Sequence, residues 1–197
     1  AVAGERTALN LSGVNKEDVA RGMMLATPVM LQSSSRLDVK LSLLSSSKPL
    51  KTGARVHLHA FTSDVIVALK LHEGKQLSPG SEAFAQIQAN AALLLVPGDR
   101  FIIRQFSPAV TIGGGIVLDA HPLRKMSNTA RIEFLNVVSG KDSTRASLAR
   151  ITRRSANGIT VRELTRESGF GPGVLEPIIA SLLQQQVIVR HGDFLLS

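Results

Sequence analysis

Cysteine, tryptophan and tyrosine are all absent from the 197 residues. Without thiols there is no disulfide framework, no thiolate metal site, no cysteine nucleophile and no iron–sulfur cluster. Phenylalanine occurs only seven times, which weakens any binding mode built on stacking bases against aromatic rings. No apolar run approaches the ~18 residues needed to span a bilayer, and no cleavable signal opens the chain. Acidic side chains are the minority, 15 against 23 Lys and Arg, for a net charge of +8. What remains is a 44% hydrophobic, 19% charged chain, which is the composition of a folded globular protein. At roughly 100–150 residues per domain the length suggests two domains.

The basic surplus is uneven. Residues 1–122 carry 12 basic and 9 acidic side chains, and residues 123–197 carry 11 and 6. Such a balance suits a polyanionic partner, most plausibly RNA, although a solvated basic surface would show the same count. The chain opens at Ala1 with Thr7–Leu11 already alternating like a strand. So short a run cannot make a sheet alone, so a fragment of a longer protein is expected.

Period-two patterning dominates the first 122 residues. Leu37, Val39, Leu41 and Leu43 alternate with Asp38, Lys40, Ser42 and Leu44. The pattern recurs over 55–61, 64–71, 84–89, 100–104 and 110–118, with turn clusters at 48–53, 77–80 and 97–99. About six strands without an intervening helix predict a closed antiparallel barrel or a sandwich. Past His121-Pro122-Leu123-Arg124-Lys125 the period changes. Ile132, Leu135 and Val138 share a helix face from about Ser127, and a second helix is expected over 143–155. Thr160-Val161-Arg162-Glu163 is a capping box opening a short helix that stops at Gly169. A fourth helix over 173–186, with Pro177 near its start, precedes a hairpin from Val187 to Leu196. Four helices followed by a hairpin is a winged-helix order.

Three motifs invite a chemical reading. Asn15-Lys16-Glu17-Asp18 matches the guanine-specificity signature of GTPases, but no G-x-x-x-x-G-K-[ST] phosphate cradle accompanies it. A turn leading into a strand at Met23-Met24-Leu25 accounts for it better. Gly113-Gly114-Gly115 is followed by no lysine, hydroxyl or helix, so a bulge or close strand crossing is expected in place of a phosphate loop. His57 and His59 share one strand face and could hold a metal, but no third ligand is evident, so no metal site is assigned. No Ser/His/Asp set or carboxylate pair stands out, and no catalytic residue is assigned. The fourth helix carries Glu176 as its only charge, which argues against reading bases in a major groove.

Two stretches resemble translational GTPases related to elongation factor Tu. Gly4–Leu11 with Val19–Leu25 resembles the end of the second barrel of that family. Gly98–Arg104 with Thr111–Pro122 resembles the end of the third. The Gly-Gly-Gly…Leu-Asp…His-Pro ending is particularly similar to bacterial selenocysteine-specific elongation factors, which continue into winged helices. One departure stands out: after His57-Leu58-His59 the family usually has Gly-Thr, whereas this chain has Ala60-Phe61-Thr62.

The resemblance implies a mainly β fold with an α/β addition. Residues 1–30 would end a second barrel, 31–122 would form a Greek-key antiparallel β-barrel like the third domain of elongation factor Tu, and 123–197 a winged-helix domain. It implies a cytoplasmic factor, without membrane contact, that delivers selenocysteinyl-tRNA to the ribosome at recoded UGA codons. GTP and Mg would be bound by a nucleotide domain absent from this segment, which would itself hold no cofactor and be no enzyme. A messenger RNA hairpin would be bound by further winged helices. Arg104, Gln105 and Ser107, in the turn 105–110, are candidates for tRNA contact. Arg145, Arg150, Arg153 and Arg154 are candidates for RNA-backbone contact. A DNA-binding regulator, pairing a ligand-sensing β-domain with a winged helix, is the alternative from another class.

Overall fold

Six strands close into an antiparallel barrel in the computed structural model, which describes residues 5–26, 31–154 and 156–197. In chain order the strands are β1 (Ser34–Leu43), the two-residue β2 (Leu50–Lys51), β3 (Arg55–Ala60), β4 (Ser63–Leu71), the two-residue β5 (Gln76–Leu77), β6 (Glu82–Leu93), β7 (Arg100–Arg104) and β8 (Thr111–Asp119). Around the barrel the order is β1-β6-β4-β3-β7-β8, with β8 pairing back to β1. β3, β4 and β6 are neighbours in sequence, and β1 lies beside β6. That is the Greek-key order. β2 and β5 pair separately.

The alternation read from the sequence fills the interior. Leu37, Val39, Leu41, Leu58, Leu69, Ile87, Ile103 and Val117 are all inaccessible to solvent or nearly so. The three glycines lie inside β8, between β1 and β7. A Cβ on Gly115 would sit 2.3 Å from the Lys40 carbonyl oxygen, and one on Gly114 would sit 2.5 Å from that of Phe101. Close strand approach, not phosphate binding, therefore explains the run.

The helical part is built on α1 (Asn128–Val138), α2 (Ser143–Thr152), α3 (Val161–Ser168) and α4 (Pro172–Gln184). Beside them β10 (Val189–His191) and β11 (Phe194–Leu196) form the hairpin, and β9 (Ile159–Thr160) pairs with β11. Ser127 and Asp142 cap α1 and α2 by accepting from Ala130 N and Arg145 N. The expected capping box is present: Thr160 Oγ1 accepts from Glu163 N, and the Glu163 carboxylate accepts from Thr160 N at 2.8 Å. α3 ends on Gly169 at φ +73. Ile151, Ile159, Leu164, Leu175, Leu182 and Leu195 form its core. Leu118, Phe134 and Leu135, with Phe84 and Ile116 beside them, join this part to the barrel wall. The expected end of the second helix at Ser155 lies outside the described residues, and α2 finishes at Thr152.

Two expected strands are corrected. Thr7–Leu11 and Met23–Leu25 are not strands, because neither run has a ladder partner among the described residues and alternation alone supplies no hydrogen bonds. Asn15–Asp18 is a single 3-10 turn in which Asp18 accepts from the Asn15 amide at 3.1 Å. That carboxylate is used within its own turn. The segment touches the barrel where Gly22 N donates to Thr62 Oγ1 at 2.9 Å. Residues 1–4 and 27–30, part of the stretch assigned to a preceding barrel, lie outside the described residues.

Candidate nucleic-acid interface

The β3–β4 hairpin and the β7–β8 loop meet at one end of the barrel. Antiparallel register sets His57 beside Arg104, and His59 beside both Asp64 and Ile102. His57 Nδ1 lies 2.9 Å from Asp64 Oδ1, and His59 Nε2 lies 3.8 Å from the same oxygen. The hydrogen bond from His57 holds the Asp64 carboxyl below the ordinary carboxylate range. Phe106 meets His57 edge-on, with ring centroids 4.7 Å apart. The third metal-ligand candidate that spacing did not reveal is thus Asp64, brought in by the hairpin.

Phe61 sits in the tight turn of this hairpin at φ +51. This is the left-handed region, where a glycine would be unstrained, and it falls within the departure from the family pattern. The side chain is exposed, as are Phe106, Val110 and Ile102.

Of the expected tRNA contacts, Arg104 Nη2 donates to the Ala109 carbonyl across the loop and so braces it. Gln105 N donates to the Val110 carbonyl at 3.1 Å, closing the turn. Ser107 is exposed at the tip. Arg104 thus ends β7, half-buried like Gln105, and of the three only Ser107, in the β7–β8 loop, faces solvent.

The arginines of the helical part divide. Arg145 is exposed. Arg154 is about one-third exposed and donates to Glu167 Oε1 at 2.5 Å. Arg150 and Arg153 correct the expectation of RNA contact, because both side chains are buried against the barrel. Arg150 donates to the carbonyls of Glu167 (2.7 Å), Ala146 (3.1 Å) and Leu118 (3.0 Å). Desolvation pushes its pKa down to about 10. Arg153 bridges the buried carboxylates of Asp119 and Glu167 and lies 4.4 Å over the Phe134 ring. Burial works against the Arg153 cation, yet the two carboxylates outweigh it and raise its pKa.

A second buried cluster sits at the same junction. Asp38 accepts from Arg131 at 2.6 Å, Gln86 at 3.0 Å and His72 at 3.2 Å. Burial would raise the Asp38 pKa, but these donors overcome it and leave the group lowered. Arg131 also donates to the Leu123 carbonyl, and Asn128 to the His72 carbonyl. Sequence reasoning missed this junction. No local signal marked it, since Asp38 falls in the polar register of an alternating strand with Lys40 and Ser42.

Residues 34–124 match the family model described as the selenocysteine-specific elongation factor, β-barrel domain. The selenocysteine-specific elongation factor of Desulfomicrobium baculatum is 34% identical over 163 residues, which is 82% of this chain and 26% of that protein. A crystal structure of the bacterial selenocysteine-specific elongation factor EF-Sec aligns with a TM-score of 0.74 at 20% identity, covering 100% of this chain and 29% of that one. The second likeness shows the fold. The chain thus spans between a quarter and a third of the length of these relatives.

Proposed function

We propose, from the match of residues 34–124 to the β-barrel domain of the selenocysteine-specific elongation factor, that the chain is the barrel and first helical module of a factor delivering selenocysteinyl-tRNA to the ribosome. The observation that carries the reading is the sequence match over 163 residues, which runs past the barrel length into the helical part. The loop bearing Arg104, Gln105 and Ser107 is the tRNA-facing edge, where donors can meet phosphate and ribose oxygens. Residues 1–30 are the end of a preceding barrel, 31–122 the third barrel, and 123–197 a winged-helix spacer. GTP hydrolysis, with its Mg, belongs to residues outside this chain, and so does the reading of a messenger hairpin. A cytoplasmic setting follows from that role. Among the described residues no helix is long and apolar enough to cross a membrane.

The spacer reading rests on α4. Its exposed positions are Pro172, Gly173, Val174, Glu176, Pro177, Ala180 and Gln184, none of them a cation. Two of the four arginines expected to meet RNA backbone are spent on the barrel junction. The regulator alternative lacks a helix able to read bases. Replacing the aligned segment of the Desulfomicrobium baculatum factor with this chain tests the whole reading. Retained selenocysteine insertion at UGA is expected, and a folded chimera that inserts none would sink it.

A further inference from the structure

We propose that His57, His59 and Asp64 form a binding site for a divalent transition-metal cation, with zinc the best fit. The three side chains offer ligand atoms that all lie within 4.8 Å of one another. Zinc holds nitrogen and oxygen ligands at about 2.0–2.2 Å in a tetrahedron, which places neighbouring ligand atoms roughly 3.3–3.5 Å apart. The His57–Asp64 distance of 2.9 Å and the His59–Asp64 distance of 3.8 Å straddle that value. Small rotations of three side chains would reach it without moving the backbone.

The scaffold favours a fixed site. His57 and His59 are alternate residues of β3, and Asp64 is held opposite His59 by the hairpin ladder. Ligands on paired strands are positioned more firmly than ligands on loops. The Phe106 ring against His57 restricts the imidazole. The side chains remain 32%, 27% and 54% exposed, so an ion could enter and keep its remaining position open to water. Two imidazoles and one carboxylate suit zinc, cobalt, nickel or copper. They do not suit calcium or magnesium, which require oxygen ligands throughout. Arg104 is the nearby opposing charge, and its guanidinium is engaged by the Ala109 carbonyl. The alternative is a metal-free pair in which Asp64 simply accepts from His57.

The inference stands apart from the tRNA reading and is tested separately. The 197-residue chain is titrated with zinc by calorimetry and with cobalt by visible absorption. One saturable equivalent is expected. His57→Gln, His59→Gln and Asp64→Asn should each lose about 10-fold or more in affinity, with unchanged far-ultraviolet circular dichroism. His191→Gln, on the exposed hairpin, should bind as the parent does. No saturable binding, or binding untouched by all three ligand variants, overturns the proposal.

Discussion

The two ends of the barrel wall carry the same chemistry in opposite settings. At the loop end, Asp64 faces His57 and His59, with Arg104 beside them, all at least partly open to solvent. At the helical junction, Asp38, Asp119 and Glu167 meet Arg131, Arg150 and Arg153 almost wholly out of water. Charge at the first end is free to meet a partner. Charge at the second holds two parts of one chain together. Net charge and motif spacing cannot tell these cases apart, because burial alone decides which ion pairs are spent internally.

The largest effect should come from breaking the junction. Arg153→Ala leaves the buried Asp119 carboxylate without its cation, leaves Glu167 with Arg154 alone, and removes the cation from the Phe134 ring. A loss of about 3–5 kcal/mol is expected from unpairing a buried charge. Denaturant unfolding followed by circular dichroism reads it. Asp64→Asn, at the exposed end, should cost at most about 1 kcal/mol. Equal losses for the two variants would erase the distinction between the ends.

Next in size is the loop. If it meets tRNA, replacing Gln105 and Ser107 together with alanine in a full-length factor should weaken tRNA binding by ~1–2 kcal/mol, since each bond lost is worth about 0.5–1.5. Filter binding with aminoacylated tRNA measures this. Unchanged affinity in a folded variant would leave the loop an ordinary barrel turn braced by Arg104.

Much of the fold was legible because it rests on local patterns. Six strands followed from alternation, and α3 from Thr160, Glu163 and Gly169, since side-chain period and capping are written within a few residues. The failures share one cause. Thr7–Leu11 alternates, but a strand needs a partner that the pattern does not name. Asp38 falls on the outer face of β1 and is nevertheless fully buried, because Arg131, 93 residues away, covers it. Asp64 was invisible as a metal-ligand candidate because only the hairpin register places it against His57 and His59. Arg150 and Arg153 read as free cations for the same reason: their partners Leu118, Asp119 and Glu167 lie 14 to 34 residues off.

A smaller effect, of opposite sign, is expected at the exposed end. Phe61 holds φ +51 in the β3–β4 turn, and a left-handed backbone costs an L-residue about 1–2 kcal/mol. Phe61→Gly relieves that strain, while the freer unfolded chain takes back part of the gain. A net stabilisation of about 0.5–1 kcal/mol should appear as a higher denaturant midpoint at unchanged slope. A destabilised variant would mean that the exposed phenyl ring packs in solution and that this end is less open than the junction comparison requires.

The smallest expected effect is a pH dependence confined to the junction. His121 follows Ala120 at the end of the barrel, and its backbone amide donates to Asp119 Oδ1 at 3.0 Å. Desolvation lowers its pKa below the ordinary histidine value, Arg166 and to a lesser extent Arg153 push the same way, and Asp119 and Glu167 oppose without reversing it. A depressed folded-state pKa means that the unfolded chain takes up the proton first as pH falls. His121 therefore contributes its full stability above the unfolded value of about 6.5, and that contribution is lost as pH drops through the lower folded value. Asp38 and Asp64, both lowered, exchange protons only in stronger acid, whereas Asp99, raised by burial, shifts stability the other way as pH falls. Thermal melting should thus show a shallow decline from pH 7.5 toward 5.5 that His121→Gln abolishes. A decline that survives the substitution would place the titrating group elsewhere.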